Sequence, residues 1–272
     1  MQVLLKSTLL IIVIVLLIFL GLKAVESNTN YIEYSKQISQ QNDTDHALGG
    51  KVDKLLEKLT AGIYNKYSKK QDEIQELEQN ADASQKKALL YLYYFFGTII
   101  IFALIFMYID YEFLILFIGS SSLVSLFFGL TAPLLMIVVY KSLPIVGMVT
   151  LSFDTKSILG TIEKLFMQEN YIIALLVLSF SIIMPLIKTI IILLYGFLKE
   201  SGLGKSIIVL IDKLGKWSMA DVFIVALLVV FFSTKQDIHS ALKVESGLYF
   251  FLGYVLLSMI GSSLIGKKAK DF

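Results

Sequence analysis

The chain contains no cysteine. Disulfides, thiolate catalysis, Cys-ligated zinc and iron–sulfur clusters are therefore excluded. Histidine is almost as scarce: His46 and His239 lie far apart in different loops and do not form a metal pair. An excess of one charge is also lacking. Lys plus Arg number 24 against 22 Asp plus Glu, a net charge of +2. Such a chain has no basic field to attract nucleic acid, and none is expected as a partner. There is no P-loop, no GxSxG, no HExxH and no His–carboxylate constellation, so neither an enzyme nor a cofactor is expected.

What the chain has is apolar sequence. Hydrophobic residues make up 56%, against roughly 45–50% in an ordinary soluble domain, and mean hydropathy is +0.75. The excess is gathered into runs. A spanning helix needs about 20 mostly apolar residues to cross about 30 Å of hydrocarbon. Six stretches qualify: Val3–Leu22, Ala88–Ile109, Phe113–Pro133, Tyr171–Leu198, Met219–Ser233 and Gly247–Ile265. The fifth is short and reaches adequate length with Trp217 in the headgroup layer. The first lacks a clear cleavage site after Leu22 and is read as an uncleaved anchor. With six spans, one set of short segments carries eight lysines and the other five. Positive charge collects on the cytoplasmic side, which puts both termini in the cytoplasm and residues 23–87 outside.

That outer segment divides in two. Glu26–Gly50 is rich in Asn, Gln, Ser and Asp and reads as a loosely structured loop. From Lys51 to Lys87, Val52, Leu55, Leu56, Leu59, Ile63, Tyr67, Ile74, Leu77 and Ala81 recur at three- and four-residue steps. This predicts a long amphipathic helix, partly coiled-coil in character, running without a proline into the second span. It either packs on itself as a hairpin or docks a partner. Pro133 ends the third span. Leu134–Lys141 and Ile145–Phe153 then read as two strands around a turn at Pro144, with Ala241–Ser246 as a third. Asp154 is placed to cap a short amphipathic helix lying in the outer interface. Ile207, Ile211 and Leu214 mark a similar helix on the inner side. The fold class is an all-α integral membrane protein of six transmembrane helices, with an external helical arm and a small external β-sheet.

Lys188 is the sharpest polar feature, lying well inside the fourth span with Ser181, Pro185 and Thr189 around it. A charge at mid-membrane costs about 2.5–3.5 kcal/mol on insertion scales. An acidic partner, a cavity or a lipid headgroup offsets that cost, or the side chain snorkels to the surface. Pro185 removes one backbone N–H and can kink the helix, widening a cavity near Lys188. Ser218 and Asp221 fit a capping box at the start of the fifth span, and Asp221 is also a candidate counter-ion for Lys188. Ser258 and Ser262 form a small-xxx-small pair that lets helices approach closely. The cluster Ser120, Ser121, Ser122 and Ser125 is either packing or a polar lining.

Ser179–Lys188, then Leu214-Gly-Lys-Trp-Ser-Met-Ala-Asp-Val-Phe223, then Gly247-Leu-Tyr-Phe250 and Leu256-Leu-Ser-Met259, occur in that order. Together they resemble the paraquat-inducible protein A family, which includes the lipophilic envelope-spanning tunnel A proteins. The resemblance covers Phe113–Ile265. Pro185, Lys188, Trp217, Ser218, Met219 and Asp221 are its motif residues here. Family members often carry two four-span modules and cysteine-paired zinc ribbons; this chain has one module and no metal site of that kind.

The resemblance implies a bacterial inner-membrane subunit that loads or unloads lipids for a periplasmic MCE-domain protein. Membrane lipids and that protein are the expected partners, and a homo-oligomer is compatible with them. The alternative is a sensor or scaffold for envelope stress, with the outer arm as docking element. The expected organisation is an N-terminal hairpin over residues 1–110, the four-span module over 111–266, and a tail over 267–272.

Overall fold

The computed structural model describes residues 2–41, 66–143, 147–198 and 240–270. In chain order these form helix α1 (Gln2–Gln41), helix α2 (Lys66–Ile109), helix α3 (Tyr111–Thr131), strand β1 (Leu135–Leu143) and strand β2 (Gly147–Lys156). Helix α4 (Ile158–Met167) and helix α5 (Tyr171–Leu178) follow, then a π-helical turn (Ser179–Ile183) and helix α6 (Met184–Leu198). Strand β3 (Ser240–Val244) and helix α7 (Ser246–Lys270) complete the described residues. Among the described residues, five helical stretches are long and apolar enough to cross a membrane: Leu4–Gln41, Ser68–Ile109, Tyr111–Thr131, Tyr171–Gly196 and Ser246–Lys267. The chain is thus a multi-pass membrane protein. The predicted fifth span, Met219–Ser233, and the inner helix marked by Ile207, Ile211 and Leu214 lie outside the described residues.

Helices α1 and α2 have 40 and 44 residues, about 60 Å each at 1.5 Å per residue. That is about twice the hydrocarbon thickness, so both reach well past an apolar layer. They pack against each other along their length. This corrects the reading of Glu26–Gly50 as a loose loop: its described part, 26–41, is continuous helix. The reason is a stripe that hydropathy alone does not register. Ala24, Ser27, Asn28, Tyr31 and Ile32 are buried at three- and four-residue steps, and polar members hold positions usually apolar. On α2 the predicted seam is partly realised, with Ala81 buried and Ile74 and Leu77 half-buried. Residues 51–65 of the predicted arm lie outside the described residues.

Asp110 separates α2 from α3. Its extended backbone and its side chain, which accepts from Glu112 N at 3.0 Å, cap α3. The same carboxylate pairs with Lys6 at 2.8 Å, and Lys6 holds it below the usual carboxylate range. Tyr111 donates to Leu264 O at 3.0 Å. The start of α1, the α2–α3 turn and the last turns of α7 therefore gather at one end of the bundle. Aromatic rings fill the bundle between them. Phe95 meets Phe250 edge-on at 5.0 Å, and Phe106 and Phe128 lie tilted against Phe117 and Phe250 at 5.3 and 5.2 Å.

The sheet stands at the other end. Its order is β2-β1-β3, with both pairings antiparallel. β1 and β2 slip register between Val139 and Tyr140, a bulge that bends the ribbon. The three predicted strands are all present. Glu245 N donates to Leu134 O and Gly247 N to Pro133 O, each at 2.9 Å, clamping the exit of α3 to the start of α7. Gly247 sits so close that a Cβ there would lie 2.5 Å from Ala132 O and 2.6 Å from Pro133 O, so only glycine fits.

The face of the sheet bearing Met136, Val138 and Tyr140 lies over the outer part of the α1–α2 hairpin, against Tyr31, Ile32 and Ala81. Helix α4 is present as a short amphipathic element, but its cap is Ser157, whose Oγ accepts from Gly160 N at 3.0 Å. The expected cap, Asp154, is instead within β2, where Lys156 at 2.9 Å and Lys164 at 3.8 Å surround it.

Candidate functional site

Helix α6 buries one face: Pro185, Lys188, Thr189, Ile191, Ile192 and Tyr195. The three- and four-residue spacing puts the lysine on the same stripe as the isoleucines, so helix geometry carries it inward. Lys188 is only 7% exposed and Thr189 is fully buried. Snorkelling to an open surface is therefore not how this lysine sits. Thr189 Oγ1 donates to Pro185 O at 2.9 Å.

Upstream, the helix is widened rather than simply kinked. Met184 N donates to Ser179 O, five residues back, closing a π-helical turn that ends just before Pro185. Such turns mark functional positions more often than chance, and this one accommodates a residue with no N–H to give. Ser181 lies in it, half-buried.

Close glycine contacts set the levels of the neighbouring helices. A Cβ on Gly196 would meet Leu116, and one on Gly119 would meet Leu193 and Ile192. One on Gly261 would meet Ile192 and Ile118, and one on Gly253 would meet Ser125 Oγ. Helices α6 and α7 thus both run antiparallel to α3. One turn on from Gly119 along α3, and from Gly261 back along α7, the three helices present Ser122, Lys188, Thr189 and Ser258 at a common depth. Ser121, Ser122, Ser125, Thr189 and Ser258 are all fully buried. A buried lysine and buried hydroxyls thus share one level of an otherwise largely apolar bundle.

The hydroxyls are not equivalent. Ser125 Oγ donates across to Phe250 O at 2.7 Å. Ser258 and Ser262 donate within α7, to Val255 O at 3.1 Å and Ser258 O at 2.8 Å. Ser121 Oγ and Ser122 Oγ have no hydrogen-bond partner among the described residues. A buried hydroxyl without a partner costs about 1–3 kcal/mol. Two at the depth of a lysine therefore mark a place suited to water or to a polar group of a ligand. In the serine cluster of α3, Ser125 is a helix–helix clasp, while Ser121 and Ser122 are buried with no hydrogen-bond partner among the described residues. Among the described residues no group of His, Cys, Asp and Glu is arranged to hold a metal ion. Trp217, Ser218, Met219 and Asp221 lie outside the described residues.

A second polar cluster escaped the sequence reading. Where β3 meets α7, Glu245 is 3% exposed. Burial pushes its carboxyl up to about 7, while the Lys243 charge pulls the other way. Glu245 Oε1, Ser246 Oγ and Asn28 Nδ2 are buried without a hydrogen-bond partner among the described residues. Lys243 Nζ donates to Tyr31 OH at 2.7 Å. Burial lowers the Lys243 ammonium, but Tyr31, Glu245 and Tyr140 outweigh it and leave it raised. Asn28 and Tyr31 come from α1, more than two hundred residues from Lys243 and Glu245. No local pattern announces such a pairing.

Comparison with known proteins places these sites in context. The family model described as Paraquat-inducible protein A matches residues 125–268, more than half of the chain. The match takes in Ser125, the sheet, the π-turn, Lys188 and Ser258; α1, α2 and the first part of α3 fall outside it. No curated protein and no solved structure matches the chain.

Proposed function

The chain belongs to the paraquat-inducible protein A family, and on that premise we propose that it is the membrane subunit of a lipid-transport system. In this reading it resides in the bacterial inner membrane with both termini cytoplasmic. It passes lipids to or from a periplasmic MCE-domain partner and catalyses no reaction itself.

The observation that carries the proposal is Lys188, buried inside the matched region at the depth of Thr189 and Ser258, with Ser121 and Ser122 just ahead of that region at the same level. Keeping an ammonium there is costly. A bundle that needed only to fold would do as well with leucine. A buried lysine at the level of these hydroxyls supports two linked roles: as an ammonium, receiving an anionic lipid headgroup, and, by releasing and regaining its proton, passing a proton as the lipid moves. Asp221, a motif residue of the family, is the proposed counter-ion.

The test is lipid exchange between inner-membrane vesicles and the partner, with mass spectrometry of the lipids that co-purify in mild detergent. Lys188→Ala should abolish partner-dependent movement while the protein still folds, and Lys188→Arg should retain part of it. Movement at the wild-type rate in Lys188→Ala would sink the proposal. One observation supports the alternative, a stress sensor: the α1–α2 hairpin is seated on the sheet, so displacement of the arm would be felt in the module. That reading requires deletion of residues 50–87 to abolish signalling while Lys188 remains dispensable.

A further inference from the structure

A cavity of about 340 Å³ lies between the outer α1–α2 hairpin and the sheet. It stands apart from the polar layer around Lys188. Its volume is at the lower end of small-molecule sites, which run from roughly 300 to 1,000 Å³. Three walls close it. Helix α1 gives Tyr31, Ser35 and Ser39; helix α2 gives Glu78 and Asp82; the sheet gives Met136, Val138, Phe153 and Lys243. Strand alternation explains the third wall: Met136 and Val138 of β1 are two residues apart, Phe153 pairs with Val138 and Lys243 with Met136. All four therefore point from one face.

The charges are opposed across the space. The Lys243 ammonium leans over the Tyr31 ring, 5.4 Å from its centroid, and donates to its hydroxyl. Glu78 and Asp82 stand on α2 at the rim and are exposed. Neither makes an ion pair among the described residues. Between them are the Ser35, Ser39 and Thr150 hydroxyls, over a floor of buried Met136 and Val138. A purely apolar ligand would bury Glu78 and Asp82 uncompensated and would strip water from Lys243, whose neighbours are the Tyr31 hydroxyl and the buried Glu245. A simple anion would face Glu78 and Asp82, and a simple cation would face Lys243.

We propose that this cavity is a binding site for a zwitterionic amphiphile, its anionic group toward Lys243, its ammonium toward Glu78 and Asp82, and a short apolar part on Met136, Val138 and Phe153. A phosphoethanolamine headgroup with a single short chain has this chemistry. It can come from a membrane lipid or from a free water-soluble headgroup. The site is formed jointly by the family-matched sheet and the hairpin outside the match, so it belongs to this chain's added arm. It stands whether or not Lys188 moves lipid.

The experiment is calorimetric titration of the full chain in phosphatidylglycerol nanodiscs with hexanoyl lysophosphatidylethanolamine. One saturable site per chain is expected. Lys243→Gln, and separately Glu78→Gln with Asp82→Asn, should each weaken it by about tenfold. Met136→Trp, which fills the floor, should abolish it, and Lys188→Ala should leave it unchanged. Glycerophosphoethanolamine binding as tightly as the lyso-lipid would support zwitterion recognition with a soluble source; weaker binding would support a lipid source. Absence of saturation would overturn the proposal. So would equal affinity for hexanoyl lysophosphatidylglycerol, or binding that survives Met136→Trp in a protein that still elutes as a single species.

Discussion

Replacing Glu245 with glutamine should stabilise this protein at neutral and alkaline pH and leave it unchanged in acid. The carboxyl stands at 4.5 when free and is pushed up to about 7 where it is buried between β3 and α7. Each unit of such a shift corresponds to 1.36 kcal/mol, so ionising this group in the fold costs about 3 kcal/mol. The sign follows from which state holds the proton. Below pH 4.5 both folded and unfolded chains carry it and there is no penalty. Between 4.5 and 7 the unfolded chain releases its proton while the fold retains it, and stability falls as pH rises. Above about 7 both are ionised and the full penalty persists.

Glutamine keeps the shape and removes the charge. For a chain of this size, about 3 kcal/mol corresponds to roughly 5–10 °C in midpoint temperature. The assay is survival of the monodisperse peak after heating in a neutral detergent, for both proteins at pH 5 and pH 8. Asp110 and Asp154, held low by Lys6 and Lys156, lose their contribution only in stronger acid. They are shared by both proteins, so the difference between the two profiles isolates Glu245. Parallel profiles from pH 5 to pH 8, or a Glu245→Gln protein that is weaker at pH 8, would refute the reasoning.

Gly247→Ala should prevent the clamp between α3 and α7 from closing, because its Cβ would lie within 2.6 Å of two backbone oxygens that cannot move aside. The expected result is loss of the monodisperse peak at a temperature where Gly160→Ala, next to the exposed cap of α4, still shows one. Asp110→Ala removes both the cap of α3 and the partner of Lys6, at a cost of about 1–2 kcal/mol. Asp110→Asn should recover most of the cap but not the ion pair. A thermal series of the three proteins in low salt separates the two contributions.

The five described apolar spans and the three strands were legible because their signal is local. Twenty apolar residues in a row, or alternating Val, Ile and Met beside Pro133, carry their meaning within one window. The outer half of α1 failed that test for a physical reason. Its buried stripe is Ser27, Asn28, Tyr31 and Ile32, and the partners that make burial tolerable come from elsewhere: Ala81 on α2, Met136 and Val138 on β1, Lys243 on β3. A hydropathy window sees polar residues there and reads a loop. The same limit misplaced the cap of α4, since Asp154 and Ser157 are equally good cap formers by type. Only the length of β2, which runs to Lys156, decides between them. Lys188 lies between the two cases. Its depth was readable from the span that contains it, and its burial from the stripe it shares with Ile191, Ile192 and Tyr195. Its level with Ser122 and Ser258 depends on close contacts at Gly119, Gly196 and Gly261 that no single helix encodes.

These non-local features converge on the sheet. β1 leaves α3, β3 leads into α7, and the face they share holds the hairpin through Tyr31 and Lys243. A tilt of the α1–α2 arm against that face would act on Glu245 and Gly247, which fix the start of α7. Helix α7 carries Ser258 at the depth of Lys188. One continuous helix, Ser246–Lys270, thus starts beside the outer cavity and passes the level of the buried layer. What the cavity feels of this junction is testable as a change in its affinity when Glu245 is altered. If lyso-lipid affinity differs between pH 6 and pH 8 in wild type but not in Glu245→Gln, the cavity senses that carboxyl through the Lys243 charge beside it. If both proteins show the same pH response, Glu245 fixes the start of α7 without being felt at the cavity.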